Sequence, residues 1–121
     1  MSILQHLFCI DINLGVRNYQ STPGAVLLDV RPRREHAIRR IPESQNLPLD
    51  DLDQAGTLLP DLHQPIFVYA YGGDNSAKAV SRLKAMGYTQ VHDIGGIKRC
   101  CGNHGYQGPS EGYGWNRPAD L

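Results

Sequence analysis

No excess of charge of either sign marks this chain: twelve lysines and arginines balance twelve aspartates and glutamates. A nucleic-acid or anionic-membrane surface built on overall charge is therefore not expected. Cysteine is scarce, three in 121 residues. That number is too small and too odd for a disulfide scaffold, so the sequence reads as cytoplasmic, with its thiols reduced. Long apolar runs are missing as well. The stretch from Ile3 to Leu14 is interrupted by Gln5, His6 and Asp11, and it makes neither a signal peptide nor a membrane span. No internal repeat is visible, and no low-complexity segment interrupts residues 1 to 98. What remains is one domain, long enough to bury roughly two-thirds of the surface its unfolded chain exposes.

The most informative stretch is Pro65-Ile66-Phe67-Val68-Tyr69-Ala70, followed by Tyr71-Gly72-Gly73-Asp74-Asn75-Ser76. An uncharged apolar run of this length predicts a central strand covered on both faces. The two glycines permit a tight loop, and Asp74, Asn75 and Ser76 are all suited to cap a helix start. Helical periodicity over about residues 76 to 86 places Ala79, Val80, Leu83 and Met86 on one face, and Gly87 ends the helix. Ala25 to Val30 predicts a second buried strand and Gln90 to Ile94 a third, with Gly95-Gly96 bending the chain afterwards. Weaker signals give an edge strand over Leu7 to Ile12 and a helical turn over Asn13 to Gln20. A short helix follows from Pro32, then a brief strand at Asn46 to Leu49, then a turn of helix capped by Asp50 or Asp51. Alternating strands and helices of this size imply an α/β fold with a mainly parallel sheet. Glycine and proline dominate after Cys101. The expected division is a domain over residues 1–105 and a tail over 106–121, read either as a mobile tail with a few contacts or as an extension pinned by Tyr106, Tyr113 and Trp115 as aromatic anchors.

Ordered short motifs then give a resemblance. Leu28-Asp29-Val30-Arg31, Glu35, Ile41-Pro42, Asn46-Leu47-Pro48-Leu49, Val68-Tyr69, Gly87-Tyr88, Val91 and Gly95-Gly96-Ile97 follow the order and spacing of a single rhodanese domain. The chain resembles that family over residues 25 to 98 and loosely to Gly105-Tyr106. The resemblance implies a small, mostly parallel five-stranded sheet flanked by helices, and sulfur-transfer chemistry in the members that have it. Those members place a persulfide-forming cysteine where this chain has Ala70, an arginine where it has Asn75, and a Gly-His pair where it has Arg39-Arg40.

Sulfur transfer needs a thiolate to attack the donor and hold the sulfane sulfur, which a methyl group cannot do. Asn75 supplies neither charge nor a bidentate fork for an anion. The expected function is therefore a non-catalytic binding or regulatory module. It would take a small anion or a protein partner at Tyr71, Gly72, Gly73, Asp74, Asn75 and Ser76, whose amides sit at a helix start. Asp29 and Arg31 are expected in support, Asp29 bonding the neighbouring arginine or loop amides. Arg31, Arg33, Arg34, Arg39 and Arg40 form a basic stretch, read as a solvated face or as a surface for an acidic partner. The alternative is a sulfurtransferase whose cysteine was replaced at position 70, or whose role passes to Cys100 or Cys101. Those two cysteines otherwise read as small hydrophobes. Together with His104 they match no zinc pattern, and neither metal nor cofactor is expected.

Overall fold

In a computed structural model, which describes residues 9–98 and 104–112, the element order is α1 (Ile12–Gln20), β1 (Val26–Asp29), α2 (Arg33–Ile38) and β2 (Gln45–Asn46). A 3-10 turn (Leu49–Gln54) then runs into α3 (Ala55–Leu58), followed by β3 (Ile66–Ala70), α4 (Gly73–Ala85) and β4 (Val91–Gly96). The sheet order is β2-β1-β3-β4 and every pairing is parallel. The three strands expected around residues 25–30, 66–70 and 91–94 are thus neighbours in one sheet.

The alternation of side chains along β1 and β3 divides the core into two layers. Val26, Leu28, Ile66, Val68 and Ala70 face α3 and α4, where they meet Ala55, Leu59, Ala79, Val80 and Leu83. Leu27, Phe67 and Tyr69 face the other way, onto Ile12 and Val16 of α1, with Ile41 and Ile94. Register pairs Val26 with Ile66 and Leu28 with Val68, so like faces coincide across the two strands. Both faces of the central strands are covered, which is why their residues are apolar without alternation.

Several expectations need correction. Four strands, not five, are formed among the described residues. The fifth was expected over Leu7 to Ile12; residues 7 and 8 lie outside the described residues, and Ile12 opens a helix capped by the Asp11 side chain, which accepts from the Asn13 N–H. The short strand near Asn46 ends at that residue, although the Leu47 and Leu49 amides on either side of Pro48 still donate to the Asp29 and Val30 carbonyls at 3.0 Å. Helix α4 starts at Gly73 with Gly72 as its cap and no side-chain cap. Ser76, expected as a candidate cap, instead lies inside the helix and donates its hydroxyl to the Gly73 carbonyl at 3.0 Å. Met86, expected on the apolar face, is exposed. Cys9 is disulfide-bonded, against the expectation of reduced thiols, while Cys100 and Cys101 lie outside the described residues.

Residues 104–112 run back over the body. Tyr106 N–H donates to the Ile97 carbonyl, and Gln107 N–H donates to the Asn13 side chain. Arg40 and Glu111 exchange both backbone hydrogen bonds at 2.9 Å. Tyr106 is half-buried against the α1 layer, as an aromatic anchor would be. Tyr113 and Trp115 lie outside the described residues. No described helix is long and apolar enough to cross a membrane.

Candidate functional site

The carboxyl ends of β1 and β3 open onto a cavity of about 920 Å³. Adjacent parallel strands point their ends and following loops to the same side, where open α/β sheets present a crevice. Val30, Ala70, Pro48 and Leu49 supply its apolar lining. Ala70 is 1% exposed, so its methyl group forms part of the floor. Tyr71 and Asn75 line the wall from the loop side.

Of the residues expected at the site, the cavity brings together Arg31, Ala70, Tyr71 and Asn75. Gly72, Gly73, Asp74 and Ser76 stand beside it and do not line it. Glycine is required at two crossings here. A Cβ on Gly96 would meet the Tyr71 carbonyl oxygen at 2.5 Å and Gly72 Cα at 2.6 Å, so β4 and the loop touch backbone to backbone. Gly95 adopts φ +91° beside the register shift in the β3–β4 pairing, a conformation that favours glycine. The Ile97 and Lys98 amides then donate to the carbonyls of Ala70 and Tyr71 at 2.9 and 3.1 Å. The Lys98 ammonium lies 5.2 Å from the Tyr71 ring centroid. At the start of α4 the amides of Gly73, Asp74 and Asn75 lack an intrahelical acceptor, as in every α-helix.

Beneath the cavity is a buried polar network. Asp29 is 0% exposed and accepts from Arg31 Nε and its terminal nitrogen, the latter at 2.7 Å. Asp29 also accepts the Arg31 backbone N–H, as expected of a strand-ending carboxylate. Burial opposes the Arg31 charge, but the Asp29 hydrogen bonds and charge outweigh it and hold the pKa above the ordinary arginine value. Arg31 also donates to the Arg39 carbonyl and lies 5.7 Å from the Tyr69 ring. Tyr69 donates its hydroxyl to Ser44 Oγ at 3.0 Å and accepts the Ile41 N–H. Burial, with the nearby Asp29 charge, pushes the Tyr69 phenol far above its usual range, so it remains a donor. His36 Nε2 sits 3.1 Å from the same Ser44 hydroxyl. Burial lowers the His36 pKa, and the Arg40 and Arg31 charges add to that, outweighing Asp29.

The basic stretch is less available than its sequence implies. Arg31 is 6% exposed within its ion pair, and Arg40 pairs with Glu111 at 3.6 Å and donates to the His36 carbonyl. Arg33 and Arg34 stand exposed on α2, and Arg33 reaches the cavity. What the sequence reading missed is the opposite charge: Glu35, Asp50 and Asp51 all line the cavity. Asp50 and Asp51 fall in the first turn of the 3-10 helix. Neither caps that helix as expected, since Pro48 holds the cap position and no side chain bonds there; their shared place at the cavity was not legible in the sequence.

The rhodanese-like domain family model matches residues 15–101. An adenylyltransferase and sulfurtransferase from Meyerozyma guilliermondii is 31% identical over 109 residues, covering 82% of this chain and 25% of that protein. The chain therefore spans about a quarter of the length of that relative. A thiosulfate sulfurtransferase from Escherichia coli is 32% identical over 72 residues, covering 59% of this chain and 69% of the relative. Among solved structures, a rhodanese with anions from E. coli superposes with a TM-score of 0.62 at 27% identity, covering 73% of this chain and 98% of that one.

Proposed function

The chain belongs to the rhodanese-like domain family, and from that premise we propose that it is a non-catalytic binding or regulatory module whose ligand engages the loop from Ala70 to Ser76. One observation carries the reading: the end of β3, where the loop begins, presents a buried methyl group at Ala70. Relatives named as sulfurtransferases perform chemistry that requires a sulfur nucleophile, and no hydrogen-bonding array replaces covalent capture of the sulfane atom. Asn75 further deprives the loop of a fixed positive charge. Cys9 offers no substitute, because a disulfide-bonded cysteine carries no thiolate.

Incubation with thiosulfate and cyanide tests the proposal. The unsubstituted chain is expected to form no thiocyanate and to gain no sulfur by mass spectrometry. Treated with thiosulfate alone, Ala70→Cys is expected to gain one sulfur atom as its thiolate breaks the donor's S–S bond and releases sulfite, since the amides at the start of α4 lower the pKa of a thiol placed there below the free value of about 8.5. Adding Asn75→Arg should raise the yield by restoring a fork for the donor's oxygens. A sulfur gain on the unsubstituted chain, passed on to cyanide, would assign the chemistry to its own cysteines and end the non-catalytic reading.

A further inference from the structure

We infer that the cavity beside the loop receives a basic side chain, lysine or arginine, presented by a protein partner. The inference rests on the binding-module reading and adds the chemistry of the ligand.

Charge complementarity points this way. Glu35, Asp50 and Asp51 share the cavity lining, and none of them is in an ion pair among the described residues. Arg31 does not offset them, because its guanidinium is buried against Asp29 at 2.7 Å. Arg33 is the one other basic residue of the lining. Asn75 adds no side-chain charge from the loop side, where the partial positive charge of the α4 start is outweighed by the three carboxylates. An anion entering here meets more carboxylate than guanidinium, whereas a cation finds acceptors.

The apolar lining selects among cations. Val30 and Ala70 are buried apolar residues at the strand ends, and Leu49 packs beside them. Lysine and arginine suit such a surface because their aliphatic stems cover apolar atoms while the charged head reaches polar groups. A small inorganic cation would leave that floor unused. The volume of about 920 Å³ lies in the range of ligand pockets and admits the side chain together with its flanking backbone, so a protein segment fits better than a free amino acid. Asp50 and Glu35 are exposed. Their ion pairs will therefore set orientation and partner choice more than affinity.

The same geometry disfavours the acidic partner suggested by the arginine-rich stretch, since Arg31 and Arg40 are engaged within the chain.

Amide chemical-shift titrations of the full chain read the inference directly. The probes are a blocked pentapeptide Gly-Ala-Arg-Ala-Gly, its lysine and glutamate counterparts, and thiosulfate. The arginine and lysine peptides are expected to give saturable shifts at Asp50, Asp51, Ala70, Tyr71 and Asn75, and the glutamate peptide none. Asp50→Asn with Asp51→Asn should weaken the arginine peptide at least about threefold, the size of one or two exposed pairs. Glu35→Gln, outside the 3-10 turn, gives a second reading should the double variant disturb that turn. Equal shifts from the glutamate peptide, no shifts from any peptide, or an unchanged response in the folded variants would each overturn the inference. Loop shifts from thiosulfate alone would do so too, while leaving the non-catalytic reading intact. That reading fails separately, through thiocyanate formation.

Discussion

At the residue scale, the site depends on atoms that are absent as much as on those present. Gly96 lies where β4 touches the loop, and an added Cβ finds backbone atoms of Tyr71 and Gly72 at 2.5–2.6 Å. Neither neighbour is a flexible side chain, so the loop or the strand end must move. Gly96→Ala is expected to cost about 1–3 kcal/mol, the range for overpacking a close contact. Denaturant unfolding measures that cost, and amide shifts of Tyr71 to Gly73 report the displacement. An unchanged midpoint with unchanged loop shifts would show that the crossing is looser than the structure has it.

At the element scale, α4 shows how one helix serves both core and site. Ala79, Val80 and Leu83 recur at helical spacing and are buried against the sheet, while the first turn projects into the loop region. Leu83 is 0% exposed. Leu83→Ala should cost about 2–5 kcal/mol through lost transfer energy and the cavity left behind. A loss below about 0.5 kcal/mol, the level of an ordinary surface substitution, would place the wrong face inward. This face was legible in the sequence because a 3.6-residue period leaves few alternatives. Its first turn was not, because Gly72 starts the helix at Gly73 without the side-chain cap that the composition of Asp74, Asn75 and Ser76 suggests.

For the whole molecule, the buried network links stability to pH through His36. Its environment contains Ser44, the Asp29 carboxylate, which favours charge, and the Arg40 and Arg31 guanidinium groups, which oppose it. The net effect lowers the folded pKa. Between that value and the unfolded value of about 6.5, the unfolded chain binds more protons than the folded one. The His36 contribution is therefore fully present above about pH 6.5 and is lost as pH falls through the folded value. Unfolding free energy measured from pH 7.5 downward should decline more steeply for the unsubstituted chain than for His36→Gln. Parallel curves would show that His36 protonation is not linked to folding.

The sequence by itself determined the central strand, the glycine loop, the helix after it and the family frame, because uninterrupted apolar runs and helical periodicity act locally. It also showed a methyl group at Ala70 and an amide at Asn75. Only the tertiary structure decided what surrounds them. Glu35 lies on α2, Asp50 and Asp51 on a turn after β2, and Ala70 at the end of β3; the parallel order β2-β1-β3 brings all of them to one cavity. The fate of Arg31 was likewise tertiary. A sequence shows that aspartate and arginine stand two residues apart, but burial at a strand end makes them one ion pair. A row of arginines thus reads as basic in one dimension, while in three only Arg31 and Arg33 reach a pocket whose wall also carries Glu35, Asp50 and Asp51.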